Sequence, residues 1–291
     1  MTGEFHTRNV PNFKALLPVF GRPIADYVIQ ALDQSNVEKI FIVQDEGANL
    51  QKALSSTSKC IFITRNKNYS SLGMGTLFAL EKVAEYYSNS ELNNKSIMVV
   101  PCDTPLVTKD NFNLLIQKAA GESADVTITI IAASRLEKRF PQKHFRSVYL
   151  FDYKTSYTMQ NVIFVNGEFI QLKPSGELGK LRLSFRGWDD VVMKRVEEGI
   201  NSIENLRHQS LFHGKLFLLW LLTKGYSSYI FRFLVNLAIK RLTMAKVIEL
   251  LNGADHMHAA YIESEEVEFS ADIDRPEDFQ MILGTPWQNS D

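Results

Sequence analysis

The chain has 291 residues, long enough to bury a large core, and 45% of them are hydrophobic. Its 32 basic and 33 acidic side chains leave a formal net charge of -1, so electrostatics give no case for nucleic acid as a partner. Two cysteines, Cys60 and Cys102, and six scattered histidines rule against a disulfide framework or a structural zinc cluster.

Both cysteines adjoin apolar runs, which predicts buried thiols in a reducing compartment. The N-terminal stretch MTGEFHTRNVPNF has no apolar signal-peptide core, so a cytoplasmic location is expected. In chain order, residues 23–32 carry a helical pattern and residues 39–43 a strand pattern. A second strand is expected over 60–64, a helix over 76–87 and a third strand over 96–100. Residues 109–120 read as a helix and 125–131 as another strand. This alternation with short connections predicts an α/β fold with a mostly parallel, Rossmann-like sheet covered by helices on both faces.

After Ala133 the rhythm changes. Residues 135–146 are rich in basic and aromatic side chains, and 148–151 and 162–165 read as strands, the latter ending at the turn Asn166-Gly167. Helical regions are expected over 188–198 and 211–251, and strand character returns around Val267, Phe269 and Ile273. No Gly, Pro and Ser-rich linker sets the middle apart, so the whole chain 1–291 reads as one domain carrying residues 134–255 as an inserted or elaborated region. Within it, the apolar runs of 216–239 are each shorter than a spanning helix and are interrupted or ended by Lys224, Arg232, Lys240 and Arg241. Two buried helices are expected there, with contact to a membrane or an apolar substrate as the alternative.

Four segments carry chemistry. Ile97-Met98-Val99-Val100-Pro101-Cys102-Asp103-Thr104-Pro105 brings an apolar strand up to a carboxylate held between prolines, at the sheet edge where ligands of open α/β folds gather. Asp103 is therefore a candidate ligand-binding group, and a cap for the helix that begins near Lys109 is the alternative. Lys14, in KALLPVFGRPI, could meet a phosphate as a mobile point charge, or be a surface lysine ahead of an ordinary loop. In Ser70-Ser71-Leu72-Gly73-Met74-Gly75-Thr76, backbone amides near Ser71, Gly73 and Gly75 could converge on an anion at a helix start, although no P-loop ending is present. A plain capped loop explains the same residues. Last, Asp272 and Asp274 alternate by two ahead of Arg275-Pro276, with Glu277 and Asp278 suited to the first turn of a final helix. If folding sets Asp274 beside Asp103, the resulting dianionic pocket calls for a cation, and Mg²⁺ suits carboxylates together with triphosphate oxygens.

Taken together, KALLPVFGRPI, PCDTP and DIDRPEDF resemble the MobA-like nucleotidyltransferases, whose sheet is of the glycosyltransferase A or nucleotide-diphospho-sugar transferase type. Residues 14–133 carry most of the likeness and the last twenty-five or so complete it. The resemblance implies that Lys14 contacts nucleotide phosphates and that Asp103 and Asp274 bind Mg²⁺, with Asp272 as a further candidate ligand. It implies transfer of a nucleotidyl group from a nucleoside triphosphate to a small, phosphorylated acceptor, with release of pyrophosphate. The middle resembles a longer, less characterised branch, in which Lys138, Arg139, His144 and Arg146 would grip that acceptor, a solvated basic stretch being the alternative. Oligomeric state is not specified by any of these motifs.

The beginning departs from that pattern. Such enzymes open with an apolar strand and a glycine-rich loop, whereas only Thr2-Gly3-Glu4-Phe5-His6-Thr7-Arg8 stands well ahead of Lys14 here. Upstream residues missing from the sequence, or loss of the loop and its catalysis, are the two expectations. Without that strand a neighbouring strand's backbone would be exposed. Two rival functions follow: a nucleotide-sugar-dependent glycosyltransferase, and a noncatalytic nucleotide-binding protein.

Overall fold

The computed structural model describes residues 13–48, 50–55, 57–65, 72–141, 150–152, 155–172, 174, 248, 252, 258–274 and 276–284. The expected helices at 188–198 and 211–251 lie outside the described residues, apart from isolated positions, as does the apolar tract 216–239. Among the described residues no helix is long and apolar enough to cross a membrane.

Phe13 leads into a short 3-10 turn, Lys14–Leu16, and then a small hairpin of β1 (Pro18–Val19) and β2 (Arg22–Pro23). Phe20 and Gly21 form its tip with φ of 46° and 80°, the positive angles that a tight two-residue hairpin requires. Helix α1 (Ile24–Gln34) starts after Pro23 and buries Ile24, Ala25, Val28, Ile29, Ala31 and Leu32 along one stripe. Its Asp26 is also buried, and accepts hydrogen bonds from the Ser55 backbone N–H and hydroxyl at 2.8 and 3.2 Å.

Strands β3 (Ile40–Asp45) and β4 (Cys60–Arg65) pair in parallel, with the short helix α2 (Leu50–Ala53) between them. Helices α3 (Leu72–Tyr86) and α4 (Asn89–Leu92) follow, then β5 (Ser96–Val99) and α5 (Lys109–Ala119). The start of α5 is set by Thr108, whose hydroxyl accepts from the Asn111 N–H in a reciprocal cap. That cap is four residues beyond Thr104, so Asp103 does not serve as the helix cap that the sequence left open.

Strand β6 (Val126–Ala132) and helix α6 (Ala133–Arg139) come next, followed by β7 (Leu150–Asp152), β8 (Thr155–Asn166) and a 3-10 turn, Gly167–Ile170. Strand β8 is longer than the run 162–165 suggested, and lies antiparallel between β5 and β6 while also pairing with β7. Strand β9 (Ala259–Glu263) then pairs in parallel with β6, giving an open mixed sheet in the order β5-β8-β6-β9. The fold is α/β, with parallel strand pairs and helices, and the antiparallel pairs of the larger sheet all involve β8.

One expectation is corrected near the end. Val267 and Phe269 belong to a 3-10 helix, Val267–Ser270, rather than a strand, because Phe269 turns fully into the core and stacks edge-on to Phe112 with ring centroids 5.2 Å apart. The strand lies earlier, at β9. The chain ends its described part in α7 (Pro276–Leu283).

Gly167 fixes the join between β8 and the helical layer. Its N–H donates to the Lys95 carbonyl at 2.8 Å, and a Cβ there would fall 2.2 Å from the Leu92 carbonyl oxygen. Gly167→Ala should cost about 1–3 kcal/mol through overpacking against backbone that cannot yield, read as a lower urea midpoint at unchanged m. An unaltered midpoint would show that the turn relaxes freely.

Candidate active site

Three motifs distant in sequence meet over one hydrophobic cluster. Leu17 and Val19 from the hairpin, Ile24 from α1, Phe140 after α6, Ala271 and Ile273, and Phe279 and Ile282 of α7 pack together, with Leu106 against them. Ile273 is fully buried, and its N–H donates to the Asp103 carbonyl at 3.0 Å. This bond fixes the segment after β5 against the segment before α7. The Asp274 N–H in turn donates to Oδ2 of buried Asp278 at 2.8 Å, so an acid placed for the helix start also orients the neighbouring site residue.

Lys14 reaches into the angle between those segments. Its Nζ donates to Oδ2 of Asp103 and, at 2.5 Å, to Oδ1 of Asp274. The site is graded in depth: the side chain of Asp103 is 16% exposed, that of Lys14 30% and that of Asp274 46%. One ammonium between two carboxylates leaves a formal net charge of -1 at the sheet edge. Burial by itself would lower the Lys14 pKa, but the charges of Asp103 and Asp274 and the hydrogen bonds to both overcome it and raise it above the ordinary value.

A cation fits what remains. Oδ1 of Asp103 is buried and has no hydrogen-bond partner, an arrangement that is costly for a carboxylate oxygen. The described residues contain no group of three or more His, Cys, Asp or Glu side chains able to hold a metal. Among the described residues Lys14 meets a pair of carboxylates, Asp103 and Asp274, and two carboxylates of this kind would suit Mg²⁺ if phosphate oxygens and water completed its octahedron. Asp272 stays half-buried on the other side of Ile273 and does not turn the pair into a trio.

The remaining sequence candidates fall elsewhere. Gly73 and Gly75 lie inside α3, which begins at Leu72, and not in a loop ahead of a helix starting at Thr76. At Gly75 a Cβ would fall 2.3 Å from Nη1 of Arg65, whose Nε donates to Asp45 at 2.5 Å. The glycine thus admits a guanidinium against the first turns of α3, a contact that spacing alone did not reveal. Arg139 is exposed at the end of α6, its guanidinium 5.2 Å from the ring centroid of Phe140. Lys138 is exposed beside it, while Ser71, His144 and Arg146 lie outside the described residues. The expectation of buried thiols is corrected: Cys60 is half-buried and Cys102 is exposed, because Cys102 falls beyond the end of β5 at the sheet edge.

Lys14 and Asp103 lie within the stretch that a family model matches, and Asp274 lies beyond it. The model of the MobA-like NTP transferase domain matches residues 8–171, more than half of the chain. The chain belongs to the MobA-like NTP transferase family. Among curated proteins, the bifunctional protein GlmU of Bacillus cereus is 29% identical over 122 residues, covering 41% of this chain and 24% of GlmU. GlmU of Bacillus mycoides is 27% identical over 122 residues, covering 42% of this chain and 24% of that protein. This NTP transferase-family chain therefore matches about a quarter of the length of those relatives. Among solved structures, a hypothetical transferase from Thermus thermophilus superposes with a TM-score of 0.58 at 19% identity, covering 92% of this chain and 90% of the other. That likeness is one of fold.

The raised Lys14 pKa has a defined pH consequence. A lysine whose pKa is raised on folding contributes its full stabilisation below the unfolded value, 10.5, and loses it as pH rises through the folded value. Side-chain NMR should find the Lys14 ammonium still protonated at pH 10.5, where exposed lysines are about half titrated. Asp103→Asn should bring its titration down toward theirs. Titration of Lys14 together with the exposed lysines in the unsubstituted protein would contradict the ion-pair geometry.

Proposed function

We propose that this chain is a Mg²⁺-dependent nucleotidyltransferase that joins the nucleoside monophosphate part of a triphosphate to a small, phosphorylated acceptor. The observation that carries the reading is the convergence of Lys14 on Asp103 and Asp274 in a member of an NTP transferase family. Asp103, through its unpartnered Oδ1, and Asp274 would hold Mg²⁺. When bound, the ion supplies Lewis-acid neutralisation of charge on the phosphates.

Lys14 has the second role. Its ammonium offsets one of the two carboxylate charges in the absence of ligand and turns to nonbridging or leaving oxygens when a triphosphate arrives, so its work is electrostatic. An acceptor oxygen attacks the α-phosphorus, the bond from that phosphorus to the bridging oxygen of the β-phosphate breaks, and pyrophosphate carries away the electron pair. A phosphate acceptor brings an unprotonated oxygen, so the step needs no general base. The residues therefore position and screen, and form no covalent intermediate.

Two substitutions test these roles. Asp103→Asn should lower Mg²⁺-dependent pyrophosphate release by about a hundredfold or more while leaving the circular dichroism spectrum unchanged. Unchanged turnover would remove Asp103 from the metal site, and release of a nucleoside diphosphate from a nucleotide sugar would replace the reaction with glycosyl transfer. Lys14→Met should move two affinities in opposite directions. Without nucleotide, Mn²⁺ measured by electron paramagnetic resonance should bind about tenfold tighter, because the competing internal cation is gone. Triphosphate binding measured by calorimetry should weaken. Weaker binding of both ligands, or of neither, would contradict the exchange of Lys14 between carboxylates and phosphate.

A further inference from the structure

Strand β8 is irregular just outside the stretch where it pairs with β5. Ile128 of β6 pairs with Ile163 and Ile130 pairs with Met159, so the single residue Thr129 faces residues 160–162 of β8. The bulge is filled from β6: the hydroxyl of buried Thr129 donates to the Val162 carbonyl at 2.6 Å. Bulges are frequent beside active sites, where they re-aim a side chain.

The side chain aimed by this bulge is Gln160. It is 3% exposed and shares the alternating burial of Val162 and Phe164, which pack in one apolar cluster with Phe112 and Phe269. Its Nε2 donates to the Glu266 carbonyl at 2.7 Å, whereas its buried Oε1 has no hydrogen-bond partner. Half of a buried amide is thus left unsatisfied, which costs stability. A polar group placed at such a cost is expected where a functional site needs it.

Glu266 stands where the chain leaves the sheet. Strand β9 ends at Glu263, and the Ser264 N–H still donates to the Ile130 carbonyl at 2.8 Å. A tight turn follows, in which the Ser264 hydroxyl donates to Oε2 of Glu266 at 2.5 Å and accepts from the Glu266 N–H at 3.1 Å. From Glu266 the chain runs through the 3-10 helix to Asp274 without pairing to a strand among the described residues. Phe269 holds the middle of this run against Phe112, and the Ile273 N–H ties its far end to the Asp103 carbonyl. Gln160 ties its start. We propose that Gln160 is a positioning residue for Asp274: the bulge in β8 aims its amide at the Glu266 carbonyl, and that bond sets residues 266–274 so that the Asp274 carboxylate meets Lys14 beside Asp103. That this placement serves a metal ion rests on the function proposed above.

Amide hydrogen exchange and Mn²⁺ binding test the role together. Gln160→Met keeps the side chain's bulk and removes the donor. The Ile273 amide should then exchange about tenfold faster relative to the amides of β6, the effect of one lost buried hydrogen bond on the run it anchors. Mn²⁺ measured by electron paramagnetic resonance without nucleotide should bind about tenfold more weakly. Gly167→Ala, which strains the other end of β8, should change neither the exchange ratio nor the affinity. Should Gln160→Met not fold, Gln160→Asn makes the same comparison, because its amide stops one methylene short of the Glu266 carbonyl. Equal acceleration at Ile273 and β6, or none, would overturn the positioning role and leave Gln160 a packing residue. Unaltered Mn²⁺ affinity in a chain that binds the ion would overturn it as well. Faster exchange at Ile273 where even the unsubstituted chain binds no Mn²⁺ would uphold the anchor and overturn the proposed function instead.

Discussion

The organisation of the site depends on one ammonium held between two carboxylates. Asp103 and Asp274 are 171 residues apart in sequence, and like charges brought to one edge repel unless a cation stands between them. Lys14 supplies that cation from the protein itself, with Nζ bonded to both. The result is an anionic centre stable enough to exist without ligand and still short of one positive charge.

Packing sets the ammonium where it is needed. The cluster built from Leu17, Ile24, Phe140, Ile273 and Phe279 draws three motifs together from below, and the bond from Ile273 N–H to the Asp103 carbonyl locks their registers. Fully burying an aliphatic side chain such as Ile273 is worth about 1.5–3 kcal/mol. Such gains offset the cost of assembling charge above them. The apolar face of the segment at residues 271–273 is therefore part of the reason that Asp274 is in place.

Much of this was legible in the sequence because it was written in strong local patterns. The apolar run up to Val100 gave β5 and the helical pattern from Lys109 gave the start of α5 almost to the residue, although the cap itself proved to be Thr108. Lys14, Asp103 and Asp274 stood out because each interrupts an apolar or proline-bounded stretch with a charge. Contacts that depend on tertiary packing were not legible. Nothing in the spacing of Gly75 announces that Arg65 lies against it, and nothing around Phe269 separates a buried 3-10 turn from a strand. The position of β8 between β5 and β6 is likewise a matter of long-range pairing, for which local periodicity carries no register.

Under the proposed function Lys14 and Asp274 act as one unit toward a nucleotide, and a double-mutant cycle measures that directly. The dissociation constants of the four common α,β-methylene nucleoside triphosphates at saturating Mg²⁺ would be compared for the unsubstituted chain, Lys14→Ala, Asp274→Asn and the double variant. For whichever nucleotide binds, the two losses should fail to add by about 0.5–3 kcal/mol, the range found for residues that share an ionic network. Additive losses would contradict the account, because Lys14 and Asp274 would then contribute to nucleotide binding independently.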